Sequence, residues 1–224
     1  MGATYEVKFE IAGPAAMFTR PDTGSAFISY PVPTYSAAKG MFEAVARIKT
    51  AHINVYIRPT KVEVCCPIRY ERYVTNCYGG QGRKGIQIKK GNSYQIMAII
   101  LVDVCYRIYG IVEWEWVDSQ DVDSQGRSLK HLHFLEDKFK TRLCNKFKTR
   151  LRNGHFYYMP CLGWKEFVPS YMGPFRPETK VRTDYNEIIP SMLYTVFDKP
   201  VDGTKKEPVF RHNVEIKNGV LEYA

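Results

Sequence analysis

Residues 127–152 constrain the fold more than any other stretch of the chain. The run Lys-Phe-Lys-Thr-Arg-Leu occurs twice in this segment, and apolar residues recur at spacings of three or four: Leu132, Leu135, Phe139, Leu143, Phe147 and Leu151. Side chains at this spacing lie on one face of an α-helix, whose other face is here strongly basic. The pattern predicts a long amphipathic helix that begins near Ser128 and ends at Asn153-Gly154, a pair typical of helix C-caps.

Positive charge dominates the chain as a whole. Its 224 residues include 32 Lys and Arg against 23 Asp and Glu, which gives a formal net charge of +9 and an isoelectric point near 9.2. A polyanion gains binding free energy on such a surface by releasing its counterions, so nucleic acid is the leading class of partner. From charge alone, a basic protein without a nucleic-acid partner is the alternative.

Composition predicts a globular cytoplasmic protein. The hydrophobic fraction of 45% and the charged fraction of 25% exclude extensive disorder, and the length suits one main domain with a small accessory unit. We expect no membrane partner, because the chain opens without a leader pattern and its longest apolar run, residues 96–102, is too short to span a bilayer. The cysteines and histidines lack zinc-site spacing, so we expect reduced cysteines and neither a metal nor another cofactor.

The first half of the chain predicts a strand, a helix and two further strands. Tyr5, Val7, Phe9 and Ile11 alternate with charged residues, which indicates a strand that we expect Gly13-Pro14 to end, followed by an extended loop over residues 15–33. A helical period then begins at an N-cap formed by Thr34 or Ser36, and we expect this helix to end near Thr50. Residues 53–57 and 62–66 follow as short strands separated by Pro59.

The middle of the chain predicts a basic hairpin. Residues 77–85 are rich in glycine but lack the Gly-Lys-Ser/Thr ending of a phosphate-binding loop, because Gly85 follows the lysine. We expect a hairpin tip there that touches RNA phosphates. Residues 96–102 and 104–114 predict two strands that complete an antiparallel sheet.

The C-terminal part predicts a small sheet of its own. Residues 160–167 indicate a turn into a strand, and the glycines and prolines between Gly173 and Pro177 predict a boundary that divides the chain into residues 1–176 and 177–224. Beyond it, three short strands are expected, joined by Asp202-Gly203 and Asn218-Gly219 turns: residues 188–197, 209–216 and 220–223.

Two histidines just before the basic helix are candidates for acid–base chemistry. His131 and His133 lie two residues apart, so on a helix they point in different directions and we expect only one of them to act. An imidazole moves protons near neutral pH, and Lys130 could stabilise charge on a scissile phosphate. Because RNA supplies its own nucleophile, the 2′-hydroxyl, these groups suit cleavage of RNA without a metal. Histidines with no role at an exposed helix start are the alternative.

The basic residues around these segments are candidates for phosphate contact, because Lys and Arg attract and orient a phosphate backbone. The candidates are Arg83, Lys84, Arg127, Lys138, Lys140, Arg142, Lys146, Lys148, Arg150 and Lys165. A solvated basic surface without an RNA partner is the alternative, and nonspecific double-stranded DNA is a weaker candidate partner.

Several segments resemble the Cas5 family, Dvulg subtype, of CRISPR-associated proteins from type I-C systems. Val32-Pro33-Thr34 followed by residues 37–44 is similar to the family's hallmark segment, and further similar segments occur in the same order: residues 16–21, 130–131, 160–167, 192–194 and 218–222. The resemblance implies an α+β fold, with a ferredoxin-like, RNA-recognition-motif-like antiparallel sheet and a small C-terminal β-sheet extension. It also implies an endoribonuclease that cuts precursor CRISPR RNA at the repeat hairpin. The enzyme would then stay on the 5′ handle with the other type I-C Cascade subunits.

The resemblance also implies roles for individual residues. Family catalysis is associated with a tyrosine, a lysine and a histidine, and Lys130 and His131 match the last two. The tyrosine that closes the first helix in the family is replaced here by Ala46, which cannot move a proton. Tyr35 or His133 is then a candidate substitute, and a non-catalytic subunit that binds the RNA handle is the alternative.

Overall fold

One sheet runs through the part of the chain that the computed structural model describes, which is residues 5–24, 26–50, 53–78, 93–116, 135–196 and 207–223. Its strands are β1 (Glu6–Ala16), β2 (Phe27–Ile28), β3 (Ile48–Lys49), β4 (Ile53–Val64), β5 (Tyr70–Tyr78), β6 (Ser93–Trp116), β7 (Tyr171–Gly173), β8 (Glu187–Thr195), β9 (Val209–Lys217) and β10 (Val220–Glu222). The two α-helices of these residues are α1 (Tyr35–Val45) and α2 (Glu136–Arg152), and a 3₁₀ turn spans Pro21–Thr23.

The long strand β6 organises the sheet. It pairs with β1, β4 and β5, and the strand order through the sheet is β7-β1-β6-β4-β10-β9-β8. All strand pairs given for these residues are antiparallel except the short pairing of β2 with β6. The predicted α+β class with an antiparallel sheet is therefore confirmed.

Both helices pack on one face of the sheet. Phe9 of β1 meets Phe42 of α1 with ring centroids 4.9 Å apart, and Phe147 of α2 lies 5.5 Å from Phe42. All three rings are fully buried, and burial of each such side chain contributes about 1.5–3 kcal/mol. No helix among the described residues is long and apolar enough to cross a membrane.

Helix α1 begins where the sequence predicts and ends early. The Thr34 hydroxyl accepts a hydrogen bond from the Ala37 amide, as expected of an N-cap. The prediction that the helix ends near Thr50 is wrong, because Ala46 adopts an extended backbone with φ −154° and the chain turns into β3. There, Ile48 pairs with Val55, so pairing within the sheet replaces the last helical turn.

Three predicted strand breaks are wrong, because strand pairing carries the chain through each of them. Strand β1 continues past Gly13-Pro14 to Ala16, where it still pairs with β6. Strand β4 is continuous through Pro59, which lies at a register shift, a position where a residue without an amide hydrogen is tolerated. Strand β6 is likewise continuous where two strands were expected, with Asp103 at φ +51° as its local irregularity.

Two further predictions need correction: the loop before α1, and the turn into a strand after α2. The expected loop over residues 15–33 contains β2, whose Phe27 and Ile28 pair with Ala98 and Ile99 of β6. Residues 160–167 contain no strand, and the next strand in the described chain is β7. The backbone of this segment is instead held to β1's end, where the Met17 amide donates to the Leu162 carbonyl over 2.9 Å.

The three C-terminal strands exist as predicted, but they do not form a separate sheet. Strand β10 pairs with β4, so β8, β9 and β10 extend the main sheet. The turn between β9 and β10 is the predicted Asn218-Gly219 pair, with φ values of +50° and +75° that suit a type I′ hairpin. The Asp202-Gly203 turn lies outside the described residues.

One buried carboxylate joins strand β1 to strand β6 and to the segment that follows β7. Glu10 of β1 is fully buried and accepts hydrogen bonds from Arg176 Nε over 2.6 Å, from the Thr179 hydroxyl over 2.8 Å and from Arg107 Nε over 3.3 Å. Burial would raise the pKa of Glu10, but these hydrogen bonds together lower it below its ordinary value of 4.5. We call Glu10, Arg107, Arg176 and Thr179 the Glu10 cluster.

Candidate nucleic-acid interface

Helix α2 separates its apolar and basic residues as the sequence predicts. Its buried stripe has a spacing of four: Leu143, Phe147 and Leu151. A cationic stripe with the same spacing lies beside it: Arg142, Lys146 and Arg150. The repeat of eight residues is two steps of four, so each copy of Lys-Phe-Lys-Thr-Arg-Leu supplies residues to both stripes.

The sequence predicts where helix α2 begins and where it ends. The described helix begins at Glu136, with Leu135 before it, and the predicted start at Ser128 lies outside the described residues. At the other end, the predicted Asn153-Gly154 cap is confirmed. The His155 amide donates to the Arg150 carbonyl over 2.8 Å and Gly154 has φ +65°, as in a Schellman motif. This cap turns the chain back towards the end of α1, where the Tyr157 amide donates to the Ala44 carbonyl over 2.7 Å.

A groove of about 840 Å³ lies where the end of α1, strand β3 and helix α2 meet. We call it the cationic groove. Four cationic residues line it, together with two tyrosines: Arg47, Lys49, Arg142, Lys146, Tyr157 and Tyr158. None of the described residues that line the groove is acidic, so a polyanion would meet mostly positive charge there.

The cations of α2 hold the end of α1. Arg150 donates from Nε to the Val45 carbonyl over 2.6 Å, and Lys146 donates from Nζ to the Arg47 carbonyl over 3.3 Å. The last carbonyls of a helix carry partial negative charge, so cations are favourable at this position. Carbonyls leave the positive charge of these side chains uncompensated, and no ion pair between described residues involves either of them.

Tyr157 lies among these cations. The guanidinium carbon of Arg150 is 4.2 Å from the centre of the Tyr157 ring, and Lys146 Nζ is 5.3 Å from it. A hydrogen bond from Lys146 lowers the pKa of the Tyr157 phenol, burial partly opposes this, and the charges of Lys146, Arg150 and Arg47 lower the pKa further. At 46% exposure the side chain remains open to a ligand.

The neighbouring Tyr158 differs from Tyr157 in its surroundings. Its hydroxyl donates to the Gly40 carbonyl of α1 over 3.0 Å, and burial raises its pKa. The residue is 49% exposed, so its ring is accessible to an unpaired base. The groove thus combines cations with an exposed aromatic ring, the pairing found where proteins bind single-stranded nucleic acid.

The structure distributes the predicted phosphate contacts over several surfaces. Arg142 and Lys146 line the cationic groove, and Arg150 lies against its Tyr157 ring. Lys148 lies on another side of α2, beside Lys8. Lys140 forms an ion pair with Glu136 over 2.5 Å, while Lys138 and Lys165 are exposed and lie apart from the groove lining.

The remaining site predictions fall on other parts of the chain. Residues Lys130, His131, His133, Arg83, Lys84 and Arg127 lie outside the described residues. Tyr35 is described: it opens α1, is 5% exposed, and stacks on Tyr194 with ring centroids 4.3 Å apart. The eleven residues of α1 separate its ends by about 16 Å, so Tyr35 lies away from the groove.

Sequence reasoning missed four residues of the groove: Arg47, Lys49, Tyr157 and Tyr158. Two local features of the sequence indicate these residues. Arg47 and Lys49 flank an apolar residue directly after the last buried position of α1, and the two tyrosines follow within five residues of the helix cap at Asn153. Neither feature shows that the two segments meet, because that contact depends on how α2 packs on α1.

Comparison with known proteins shows where this arrangement belongs. A family model described as CRISPR-associated protein (Cas_Cas5), of the Cas5d type, matches residues 6–213. A relative named CRISPR pre-crRNA endoribonuclease Cas5d, from Mannheimia succiniciproducens, is 27% identical over 235 residues, which cover 96% of this chain and 93% of the relative. A protein of the same name from Thermus thermophilus is 27% identical over 175 residues, 75% of this chain and 63% of the relative.

Two solved structures share the fold over almost the whole chain. One is described as a CRISPR-associated protein and has a TM-score of 0.62 at 21% identity, covering 100% of this chain and 95% of its own. The other, a functionally uncharacterized protein from Streptococcus mutans, has a TM-score of 0.62 at 18% identity, with coverage of 98% and 92%. At these identities the likeness concerns the fold.

Proposed function

Because the chain belongs to the Cas5 family of CRISPR-associated proteins, we propose that it is an endoribonuclease acting on precursor CRISPR RNA. It cuts the RNA at the repeat hairpin and stays on the 5′ handle as a subunit of the type I-C Cascade complex, acting in the cytoplasm. The two relatives named as pre-crRNA endoribonucleases support this proposal. The observation of this chain that carries it is the cationic groove, which joins four basic residues to an exposed tyrosine ring.

The groove suits RNA by its chemistry. The groove cations bind phosphates of the RNA backbone, because cations along a groove replace the counterions of a polyanion; they include Arg47, Lys49 and Arg142. Tyr158 stacks on an unpaired base, which is how proteins commonly hold single-stranded RNA next to a hairpin. The groove therefore accounts for binding at a junction between paired and unpaired RNA.

The cleavage step follows from the acid–base groups of the chain. The 2′-hydroxyl of the RNA attacks the adjacent phosphorus, with His131 as a general acid or base and Lys130 stabilising the charge on the phosphate. The products are a 2′,3′-cyclic phosphate and a free 5′-hydroxyl, and no metal takes part. These roles of Lys130 and His131 rest on the family resemblance.

The proposed core is ferredoxin-like. The elements β1, α1, β4, β6, α2 and β7 follow one another as strand, helix, strand, strand, helix and strand within residues 1–176. Their strands lie in the order β7-β1-β6-β4, which is fourth, first, third and second along the chain. This order and the packing of both helices on one face support the proposal, with residues 177–224 as the β-sheet extension.

A cleavage reaction in EDTA tests the proposed function. The protein is incubated with its own repeat RNA, and we expect a single cut that leaves a 2′,3′-cyclic phosphate. The cut should be lost in His131→Ala and kept in the control His212→Ala, which removes an exposed histidine of β9. Absence of a cut in the unmodified protein, or a cut that needs magnesium, would contradict the proposal.

A non-catalytic subunit that binds the RNA handle is the second candidate function. The observation in its favour is Ala46, which is the C-cap of α1 and is 1% exposed. It stands where the family has its tyrosine, and an alanine side chain cannot transfer a proton. This function predicts tight, salt-sensitive binding of the repeat without turnover. The same reaction run with excess RNA separates the two functions, and affinity indifferent to the repeat sequence would instead indicate nonspecific binding, including that of double-stranded DNA.

A further inference from the structure

Tyr157 differs from the other tyrosines of the described chain in the charges that surround it. Its backbone is fixed by the hydrogen bond to Ala44, and its ring lies against the Arg150 guanidinium, so the side chain has a defined place at the groove that it lines. Among the described tyrosines whose pKa is shifted, it alone is shifted downward. A phenol in such surroundings gives up its proton more readily than an ordinary tyrosine.

We propose that Tyr157 is the general base of RNA cleavage, accepting the proton of the attacking 2′-hydroxyl. The assignment rests on the function proposed above and adds a catalytic residue to it. The geometry that points to Tyr157 is its position in a groove lined by Arg47, Arg142 and Lys146, where the phosphate of a bound RNA would be held next to the hydroxyl.

The step balances with the groups already named. The O2′–H bond breaks and its proton passes to the oxygen of the Tyr157 phenolate, while the O2′–P bond forms. The P–O5′ bond then breaks with its electron pair on O5′, which takes a proton from the general acid of the function proposed above. Lys146 and Arg150 stabilise the phenolate before the step, and they are close enough to the groove to offset charge on the phosphate.

The charges that face Tyr157 come from both elements packed against it. Lys146 and Arg150 belong to helix α2, and Arg47 directly follows the C-cap of α1. All three are cations, so each favours the phenolate. Cleavage by a phenolate base should therefore become faster as the pH rises, until the Tyr157 phenol is fully deprotonated.

The test replaces the hydroxyl and keeps the ring. We expect Tyr157→Phe to lower the single-turnover cleavage rate by about 100-fold or more, the range of general acid–base catalysis, while repeat RNA binds with unchanged affinity. The rise of the rate with pH should disappear as well. Tyr70→Phe is the matched control, because Tyr70 is 43% exposed, similar to Tyr157, and lies on β5 outside the groove.

A second variant tests how the phenol is activated. Lys146→Gln removes the cation that lowers the pKa of the Tyr157 phenol most, and it should move the rise of the cleavage rate to higher pH. A purely structural role of Lys146 would leave that profile in place. Ultraviolet absorbance of tyrosinate, compared between the unmodified protein and Tyr157→Phe, should show one phenol that titrates earlier than the rest.

The outcomes separate this proposal from the function on which it rests. If the unmodified protein leaves repeat RNA uncut, the proposed function fails and the role of Tyr157 fails with it. If the unmodified protein cuts and Tyr157→Phe cuts at the same rate, only the role of Tyr157 is overturned. A Tyr157→Phe variant that loses affinity in proportion to rate would also overturn it, because the residue would then bind RNA without catalysing.

Discussion

The cationic groove and the Glu10 cluster both gather arginines, yet they use them in opposite ways. In the Glu10 cluster, Arg107 and Arg176 converge on a fully buried carboxylate. In the groove, Arg150 and Lys146 donate to backbone carbonyls and lie against a tyrosine ring. The Glu10 carboxylate offsets one of the two positive charges beside it, whereas a carbonyl orients a cation and offsets none of its formal charge.

The difference separates charge that holds the fold from charge that remains for a partner. Arg107 also donates to the carbonyls of Arg176 and Thr179, over 2.9 and 2.8 Å, so it fastens the segment after β7 to the sheet. The groove cations are partly exposed and form no ion pair with a carboxylate of the described residues. An RNA phosphate would be the counter-charge that the groove lacks.

Removal of the Glu10 carboxylate should have the largest effect. We expect Glu10→Ala to lower the free energy of unfolding by about 3 kcal/mol, because the fully buried carboxylate with its hydrogen bonds would be lost and the partly buried Arg107 and Arg176 would lose their counter-charge. Urea-induced unfolding measures this loss. Should Glu10→Ala fail to fold, Glu10→Gln keeps the shape and one acceptor oxygen and should show a smaller loss of the same sign.

Asp184 provides the control for this prediction. It also pairs with an arginine, Arg182, but its side chain is 67% exposed. Asp184→Ala should therefore leave the unfolding midpoint nearly unchanged, because exposed pairs are screened by water and salt. Equal losses in Glu10→Ala and Asp184→Ala would break the contrast between a cluster that holds the fold and surface charge.

Elements that follow from local pattern could be predicted from the sequence. The Thr34 cap, the apolar stripe of α2 and the Asn153-Gly154 cap each depend on residues within one or two turns of helix. The early end of α1 could not be predicted in this way, because Ile48 leaves the helical pattern to pair with Val55. Pairing within the sheet decides that boundary.

The continuity of strands β1 and β4 could not be predicted from local pattern either, because it also depends on pairing within the sheet. In a short stretch of sequence, Pro59 and Gly13-Pro14 look like strand breaks. Strands β4 and β1 nevertheless continue through these residues, because each strand pairs with β6 both before and after them. The three C-terminal strands were identified by their own patterns. Their place in the main sheet depends on the contact of β10 with β4, more than a hundred residues away along the chain.

The candidate site could be predicted only in part. The cations of α2 and the sides of the helix on which they lie follow from the repeat, but what each side faces depends on how α2 packs. Arg47 and Tyr157 are brought together by hydrogen bonds between α1, α2 and the segment after α2, which no short pattern encodes. The roles of Lys130 and His131 stay predictions.

Removal of two groove cations should have the second-largest effect. We expect the double variant Arg47→Gln, Arg142→Gln to bind repeat RNA about 10-fold more weakly, and the slope of log affinity against log salt to fall in magnitude by about 1.5. Both residues are exposed, so stability should change little. Filter binding across a range of salt concentrations measures affinity and slope together.

The control for the groove removes the same amount of charge elsewhere. Lys180→Gln together with Lys217→Gln also lowers the net charge by two, and both lysines are exposed and lie outside the groove. The affinity for RNA should then fall much less, because net charge acts only at long range. If both double variants weaken binding equally, the groove is no better a site than the rest of the basic surface.

Acidification should have the smallest effect and should again separate the two regions. The pKa of Glu10 is lowered in the folded protein, so its contribution to stability is fully present above the ordinary value of 4.5 and is lost as the pH falls below that value through the lowered pKa. The effect is modest, because burial offsets part of the gain from the hydrogen bonds. Urea unfolding of the unmodified protein should therefore show a fall in stability in this range that is weaker in Glu10→Gln. The Arg47→Gln, Arg142→Gln variant should follow the unmodified protein, since arginines keep their charge throughout, and a changed acid limb in that variant would mean that the groove also helps to hold the fold.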